Sequence, residues 1–146
     1  MDLEDVNDEL IAYLASHPDK MRDLRPRKFE ELVAELFKSK GYEVHLTPAT
    51  RDGGLDMYAI RRDELGTALV VIECKRYAAD NKVGVEVVRG LYGVVEQKRA
   101  TKGLIATTSY FSADAKHFHN DLEYRLELAD YDRLCAMLNE WRAPRN

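Results

Sequence analysis

The chain predicts an α/β fold, a central mixed sheet with helices on both faces and the element order ααβββαβαβα. Three observations carry this. Two early segments place apolar residues at helical spacing. Three segments between residues 42 and 77 read as strands joined by short loops. From residue 83 onward helical and strand signals alternate, as parallel βαβ units require. An antiparallel meander running into such a unit gives a mixed sheet.

The elements follow in order. From Leu3 to about Ser16, Val6, Leu10, Ile11 and Leu14 form a helical stripe, with Asp2 as its cap and "HPD" as its stop. A second helix opens at Pro26, a good first-turn residue, and runs to Lys40 before Gly41. Its stripe is Phe29, Leu32, Val33, Leu36 and Phe37. In "YEVHLTPA" Tyr42, Val44 and Leu46 alternate, a strand in which His45 is expected to be packed. The loop "TRDGG" leads to a second strand, "LDMYAIRR", then the tight turn "DELG" and a third strand, "TALVVIECKRY". Val83 to about Arg99 is helical, and the small residues Gly84, Gly90 and Gly93 permit close packing. "GLIATTS" is a short apolar strand. Ser112 caps a helix to about Asp121, "YRLELA" is the last strand and "YDRLCAMLNEW" the last helix.

The 146 residues fit a single domain spanning 1–146: a helical extension (1–25), a core (26–129) and a C-terminal helix (130–146). Hydrophobic content of 45% with 33% charged residues excludes a disordered chain. No apolar stretch reaches membrane-span length, and the acidic start "MDLEDVNDEL" is no signal peptide. Two cysteines, Cys74 and Cys135, make no disulfide framework, so a reducing cytoplasm is the expected location. The net charge of −4 argues against a general nucleic-acid binder. Basic residues nevertheless cluster in "RDLRPRK" (22–28), "CKRYAADNK" (74–82) and "QKRATK" (97–102). A solvated surface would account for these clusters as well.

"ALVVIECKRYA" (68–78) asks for an explanation, because an apolar strand ends in Glu73 and Lys75. Charge in a core is costly unless it is paired or binds a metal. With Glu64 and Leu65 at the hairpin tip, residues pair when their numbers sum to 129, so Asp56 opposes Glu73. Residues two apart share a strand face, which brings Lys75 beside Glu73. Opposed Cβ atoms lie about 4.5–5.5 Å apart, and two carboxylates that close repel unless a cation intervenes. Lys75 supplies part of that compensation. A divalent ion on oxygen ligands with open water positions, Mg²⁺ or Mn²⁺, supplies more. A structural salt bridge between Glu73 and Lys75 is the plain alternative.

"GGLD" followed by "VIECKR" resembles the split Asp…Glu-x-Lys motif of the PD-(D/E)xK nuclease superfamily. The wider chain is similar to the catalytic domain of the Mrr family of restriction endonucleases. "FEELVAELFKSKGYEV", "TRDGGLDMYAI", "VVIECKRY" and "GLIATTSYFSADA" follow its blocks in order, from about Pro26 to Ala129. One departure is Leu55, which precedes Asp56 where the superfamily's name has Pro. Another is that only the helix of about Leu3 to Ser16 precedes the core, where Mrr-type enzymes often carry a separate DNA-recognition domain.

The resemblance implies a restriction-endonuclease-like fold and a cytoplasmic, metal-dependent endonuclease of restriction or defence type that hydrolyses DNA phosphodiesters. It implies Asp56, Glu73 and the Cys74 carbonyl as ligands of Mg²⁺ (or Mn²⁺), Lys75 as the residue that positions the attacking water, and Glu30 as the helix glutamate beside the site. Arg51, Arg76, Lys82 and Ser109 or Thr107 are the candidate DNA contacts. A structure-specific nuclease of junction-resolvase type and a non-cleaving DNA-binding module are the other readings. A homodimer would suit a double-strand break. His117 and His119 stand about 200° apart around a helix and do not suit one metal.

Overall fold

The computed structural model describes residues 6–48 and 56–142. Helix α1 (Asp8–Ser16), a 3-10 helix (Pro18–Asp23) and α2 (Pro26–Lys38) precede strands β1 (Glu43–Leu46), β2 (Met57–Asp63) and β3 (Gly66–Lys75). Helix α3 (Val85–Lys98), β4 (Lys102–Thr107), α4 (Ala113–Asn120), β5 (Leu126–Ala129) and α5 (Tyr131–Arg142) complete the order. The strands lie in one sheet in the order β1-β2-β3-β4-β5. The first three are antiparallel, and β4 and β5 add in parallel. This is the mixed sheet the sequence predicts.

The turn sets the register. Asp63 pairs with Gly66 and Met57 with Ile72, both sums of 129. Gly66 sits at φ 114°, a conformation costly for a residue with a Cβ. A slip of one residue would send every β2 side chain to the other face.

Alternation along β3 divides the core. Val70 and Ile72 point into a layer built from α1, α2 and α5, where Phe29, Leu32, Leu36, Leu134 and Leu138 are buried. Val71 points the other way, against Val88, Leu91 and Val95 of α3 and Ala115 of α4. Both crossover helices therefore cover one face, as right-handed connections between successive neighbouring strands demand. At Gly103 an added Cβ would lie 2.6 Å from Val95 Cγ2, so glycine lets α3 sit close on the sheet.

Four expectations need correction. Helix α1 opens at Asp8, and its cap is Asn7, whose Oδ1 accepts from Leu10 N at 2.9 Å; Asp2 lies outside the described residues. A 3-10 helix fills 18–23, where Met21 is buried, a single apolar anchor too short to give a periodic signal. Gly90 and Gly93 lie on the exposed side of α3 with nothing within 4 Å of an added Cβ, so neither serves close packing. His45 is exposed on the edge strand and pairs with Glu43, because alternation turns Val44 and Leu46 inward instead.

Candidate active site

The site forms where β2 begins and β3 ends. Asp56 N donates to Ile72 O at 3.1 Å, and the Asp56 carboxylate accepts the Cys74 N–H. The ladder itself ends at Met57–Ile72, and Asp56 bridges Ile72 and Cys74 on either side of Glu73, with its carboxylate in place of the next ladder acceptor. A strand residue's N–H and C=O point to the same side, so the Cys74 carbonyl also leaves β3 toward Asp56. Thr47 holds Asp56 from behind: its N and its Oγ1 donate to Asp56 O at 2.9 and 3.1 Å.

Glu73 is 6% exposed. Its Oε2 lies 3.0 Å from Lys75 Nζ, on the same face of β3. Glu30 arrives from α2. Arg27 Nη1 donates to Glu30 Oε1 at 3.0 Å and to Thr47 O at 2.9 Å, joining the helix to the strand that leads into the site. The Asp56 charge acts on the Glu30 carboxyl.

Three carboxyls so placed hold their protons more tightly than usual. Burial raises Glu30, the Asp56 charge adds to it, and Arg27 only partly offsets both. Burial raises Asp56 against the Cys74 N–H, Lys75 and Arg27. Burial raises Glu73 against its bond to Lys75, with the Asp56 charge adding. For Lys75 burial acts downward, but the Glu73 hydrogen bond and charge prevail and its pKa is raised. Beneath the cluster, burial and the same acids push the Cys74 thiol well up, so it stays neutral.

This donor set suits a hard divalent cation. It offers carboxylate and carbonyl oxygen, and its charge demand exceeds what Lys75 and Arg27 meet. Among the described residues no three His, Cys, Asp or Glu side chains form a ready-made cage. A cation here would rest on two carboxylates and main-chain oxygen and keep water in its shell, which is the habit of Mg²⁺.

The remaining candidates divide. Lys82 is exposed in the loop after β3. Arg76 is half-buried; its Nη1 donates to Arg22 O at 2.7 Å, and its buried Nε has no partner. Arg51 lies outside the described residues. Ser109 and Thr107 do not face a ligand: both are 0% exposed, and their hydroxyls donate to Ala79 O (3.2 Å) and Lys75 O (2.6 Å). Sequence reasoning expected them at a surface because hydroxyls at a strand–helix junction usually cap or bind. It missed Arg27, though its i, i+3 spacing to Glu30 was visible, and Thr47, which carried no local signal.

The restriction endonuclease model of the Mrr catalytic domain matches residues 21–138. The chain belongs to the Mrr-type restriction endonuclease family. It is 30% identical to the type IV methyl-directed restriction enzyme EcoKMrr of Escherichia coli (strain K12) over 127 residues, covering 84% of this chain and 40% of that protein. It is 27% identical over 153 residues to the uncharacterized protein y4cE of Sinorhizobium fredii (strain NBRC 101917 / NGR234), covering 99% and 39%. The chain thus spans about two fifths of the length of these relatives. Among solved structures, the DNA modification-dependent restriction endonuclease AspBHI superposes with TM-score 0.68 at 24% identity, over 91% of this chain and 35% of that one. MspJI restriction endonuclease, in complex with a 27-mer oligonucleotide, gives 0.64 at 23%, over 90% and 32%. FokI gives 0.61 at 14%, over 90% and 28%. At these identities the likeness establishes the restriction-endonuclease-like fold. The Mrr family match covers the elements that bring Glu30, Asp56, Glu73 and Lys75 together.

Proposed function

We propose that this Mrr-type chain is a divalent-metal-dependent endonuclease unit that hydrolyses DNA phosphodiesters in restriction or defence. The observation that carries the proposal is the meeting of Glu30, Asp56 and Glu73, all with raised pKa values, beside Lys75 at one strand end. A non-cleaving DNA module has no use for buried acids aimed at phosphate.

Asp56, Glu73 and the Cys74 carbonyl would hold Mg²⁺, or Mn²⁺. The ion would neutralise charge on the scissile phosphate and promote deprotonation of a water. Lys75 Nζ, held by Glu73, orients that water and stabilises charge building on the phosphoryl oxygens. Glu30, held by Arg27, adds its negative charge beside Asp56. Arg51, Lys82 and Arg76 would contact flanking phosphates, which position the duplex without reading its sequence. Ser109 is withdrawn from that set because it is buried. A double-strand break is most simply made by two copies related by a two-fold axis. No helix of the described residues is long and apolar enough to cross a membrane. A restriction enzyme of this kind would work in the cytoplasm, where its DNA substrate is.

The test is incubation of the purified protein with plain, methylated and branched duplexes in Mg²⁺, Mn²⁺ or EDTA. Methylated DNA is included because the name of EcoKMrr calls it methyl-directed. Cutting that needs metal is expected. Equal cutting in EDTA would overturn the metal requirement, and branched-only cutting would make the enzyme structure-specific. Binding without cutting of any substrate would make the chain a DNA-binding module.

A further inference from the structure

Thr107, the last residue of β4, is followed by Thr108 and Ser109, which makes three consecutive hydroxyl residues, each 0% exposed. A buried hydroxyl is costly unless bonded, and apolar residues would fill this space more cheaply. All three are bonded, in a regular pattern. The β3–β4 ladder ends at the Lys75–Thr107 pair. From that pair onward Thr107 Oγ1 donates to Lys75 O at 2.6 Å, where Thr108 N also donates at 3.4 Å, Thr108 Oγ1 to Tyr77 O at 2.7 Å and Ser109 Oγ to Ala79 O at 3.2 Å. The hydroxyls take every second carbonyl, as a neighbouring strand would.

The donors are fixed in turn. Ser109 N donates to Thr107 Oγ1 at 3.0 Å, so that hydroxyl is used in both directions. Thr108 O accepts from Arg22 Nε and Ser109 O from Tyr131 N, both at 2.9 Å. The 3-10 helix and the start of α5 therefore brace the triplet. What the triplet holds is the chain from Lys75, which carries the amine beside Glu73, through Arg76 to Ala79.

We propose that Thr107, Thr108 and Ser109 are positioning residues, a hydroxyl clamp that sets the backbone at Lys75 and carries the chain onward to the phosphate-facing Lys82. The proposal rests on the nuclease reading above. The clamp extends strand-like order past the end of the sheet, so that Lys75 stands on a fixed support rather than at a frayed end.

The test uses Thr107→Val, Thr107→Ser and Thr108→Val in the full chain. Three measurements are made: amide hydrogen exchange of residues 75–80 without metal, single-turnover cleavage at saturating DNA and Mg²⁺, and DNA affinity in Ca²⁺. Thr107→Val should speed exchange at 75–80 while leaving β2 protected. It should slow the single-turnover rate about 10- to 100-fold and leave DNA affinity within about threefold, because the displaced group is on Lys75 and not on the duplex. Thr107→Ser keeps both bonds and should restore exchange and rate together. Thr108→Val loses one bond and carries the test if Thr107→Val does not fold. A folded valine variant with wild-type exchange and wild-type rate overturns the clamp. A wild-type protein that cuts no DNA would overturn the nuclease reading instead, and the exchange data would still decide whether the clamp exists.

Discussion

Glu43 and Glu73 are both strand carboxylates paired with a cation, yet they titrate in opposite directions. Glu43 lies on the edge strand, its side chain 51% exposed, with His45 and Arg62 as partners. The His45 hydrogen bond, then that of Arg62, lowers its pKa. Glu73 lies on the central strand, 3.0 Å from Lys75, and burial raises its pKa in spite of that partner. The pairing is alike; the solvent is not. At the edge, water already meets most of the charge, and a partner is a small addition. At the centre one lysine does not replace the lost hydration, and Asp56 beside it deepens the deficit. A strand end that gathers unmet negative charge has room for one more cation, whereas a surface pair has room for none.

Removing the unmet charge should give the largest effect. In Asp56→Asn and Glu73→Gln the shape survives, and the Asn oxygen still accepts the Cys74 N–H. Cleavage should fall on the order of 10³-fold or more, because the groups that stabilise the transition-state charge lose their anchor. The metal-free melting temperature should hold or rise. A plasmid-nicking assay beside thermal unfolding checks both. Strong unfolding of Asp56→Asn, with no Mg²⁺ effect on any variant, would mark the cluster as a structural ion-pair network.

Removing the lysine should do the opposite to the fold. Lys75→Ala leaves Glu73 buried without its nearest cation, which costs about 1–3 kcal/mol once the partial exposure of the lysine is allowed for. Cleavage should also be lost, since nothing orients the water. Mg²⁺ should recover part of the stability by binding only the folded state. Thermal unfolding with and without Mg²⁺ reads this, and a variant as stable as wild type would show that Lys75 compensates nothing.

The ease of reading the sequence followed the same divide. The register of β2 on β3 was legible because a two-residue turn and a period of two leave one arithmetic solution. The order of strands was legible because each apolar run was bounded by Gly or polar turns. Arg27, Thr47 and the roles of Thr107 and Ser109 were not. Each acts through a bond to a main-chain carbonyl 9 to 32 residues away, and a main-chain carbonyl leaves no letter in the sequence. His45 was misjudged although the apolar face of Tyr42, Val44 and Leu46 puts it on the opposite side, which on this edge strand stays exposed.

The pH dependence sharpens the contrast. Glu30, Asp56 and Glu73 have folded pKa values raised above their unfolded ones. Their contribution to stability is therefore fully present below the unfolded values, about 4, and is lost as pH rises through the folded values. The stability of metal-free wild type, relative to the Asp56→Asn, Glu73→Gln double variant, should fall as pH rises from about 4 toward neutrality. Stabilisation by Mg²⁺ should grow over the same range, as the ion replaces protons. Denaturant titrations at several pH values test this; a difference that rises with pH would mean that these carboxylates are favourably compensated without metal.

The smallest effect belongs to the edge. Glu43 has its folded pKa lowered, so its contribution is present above the unfolded value and is lost as pH falls through the folded one. Glu43→Gln removes the partner of both His45 and Arg62. Exposed pairs of this kind contribute little, so the melting temperature at neutral pH should drop by no more than about 3 °C. Salt should shrink the drop further, since exposed charges are screened. Cleavage should be unchanged, because Glu43 touches neither Asp56 nor Glu73. Scanning calorimetry at low and high salt, with the cleavage assay alongside, measures all three. A loss as large as that of Lys75→Ala would show that burial does not separate the two carboxylates, and the inference from raised pKa to a cation site would lose its footing.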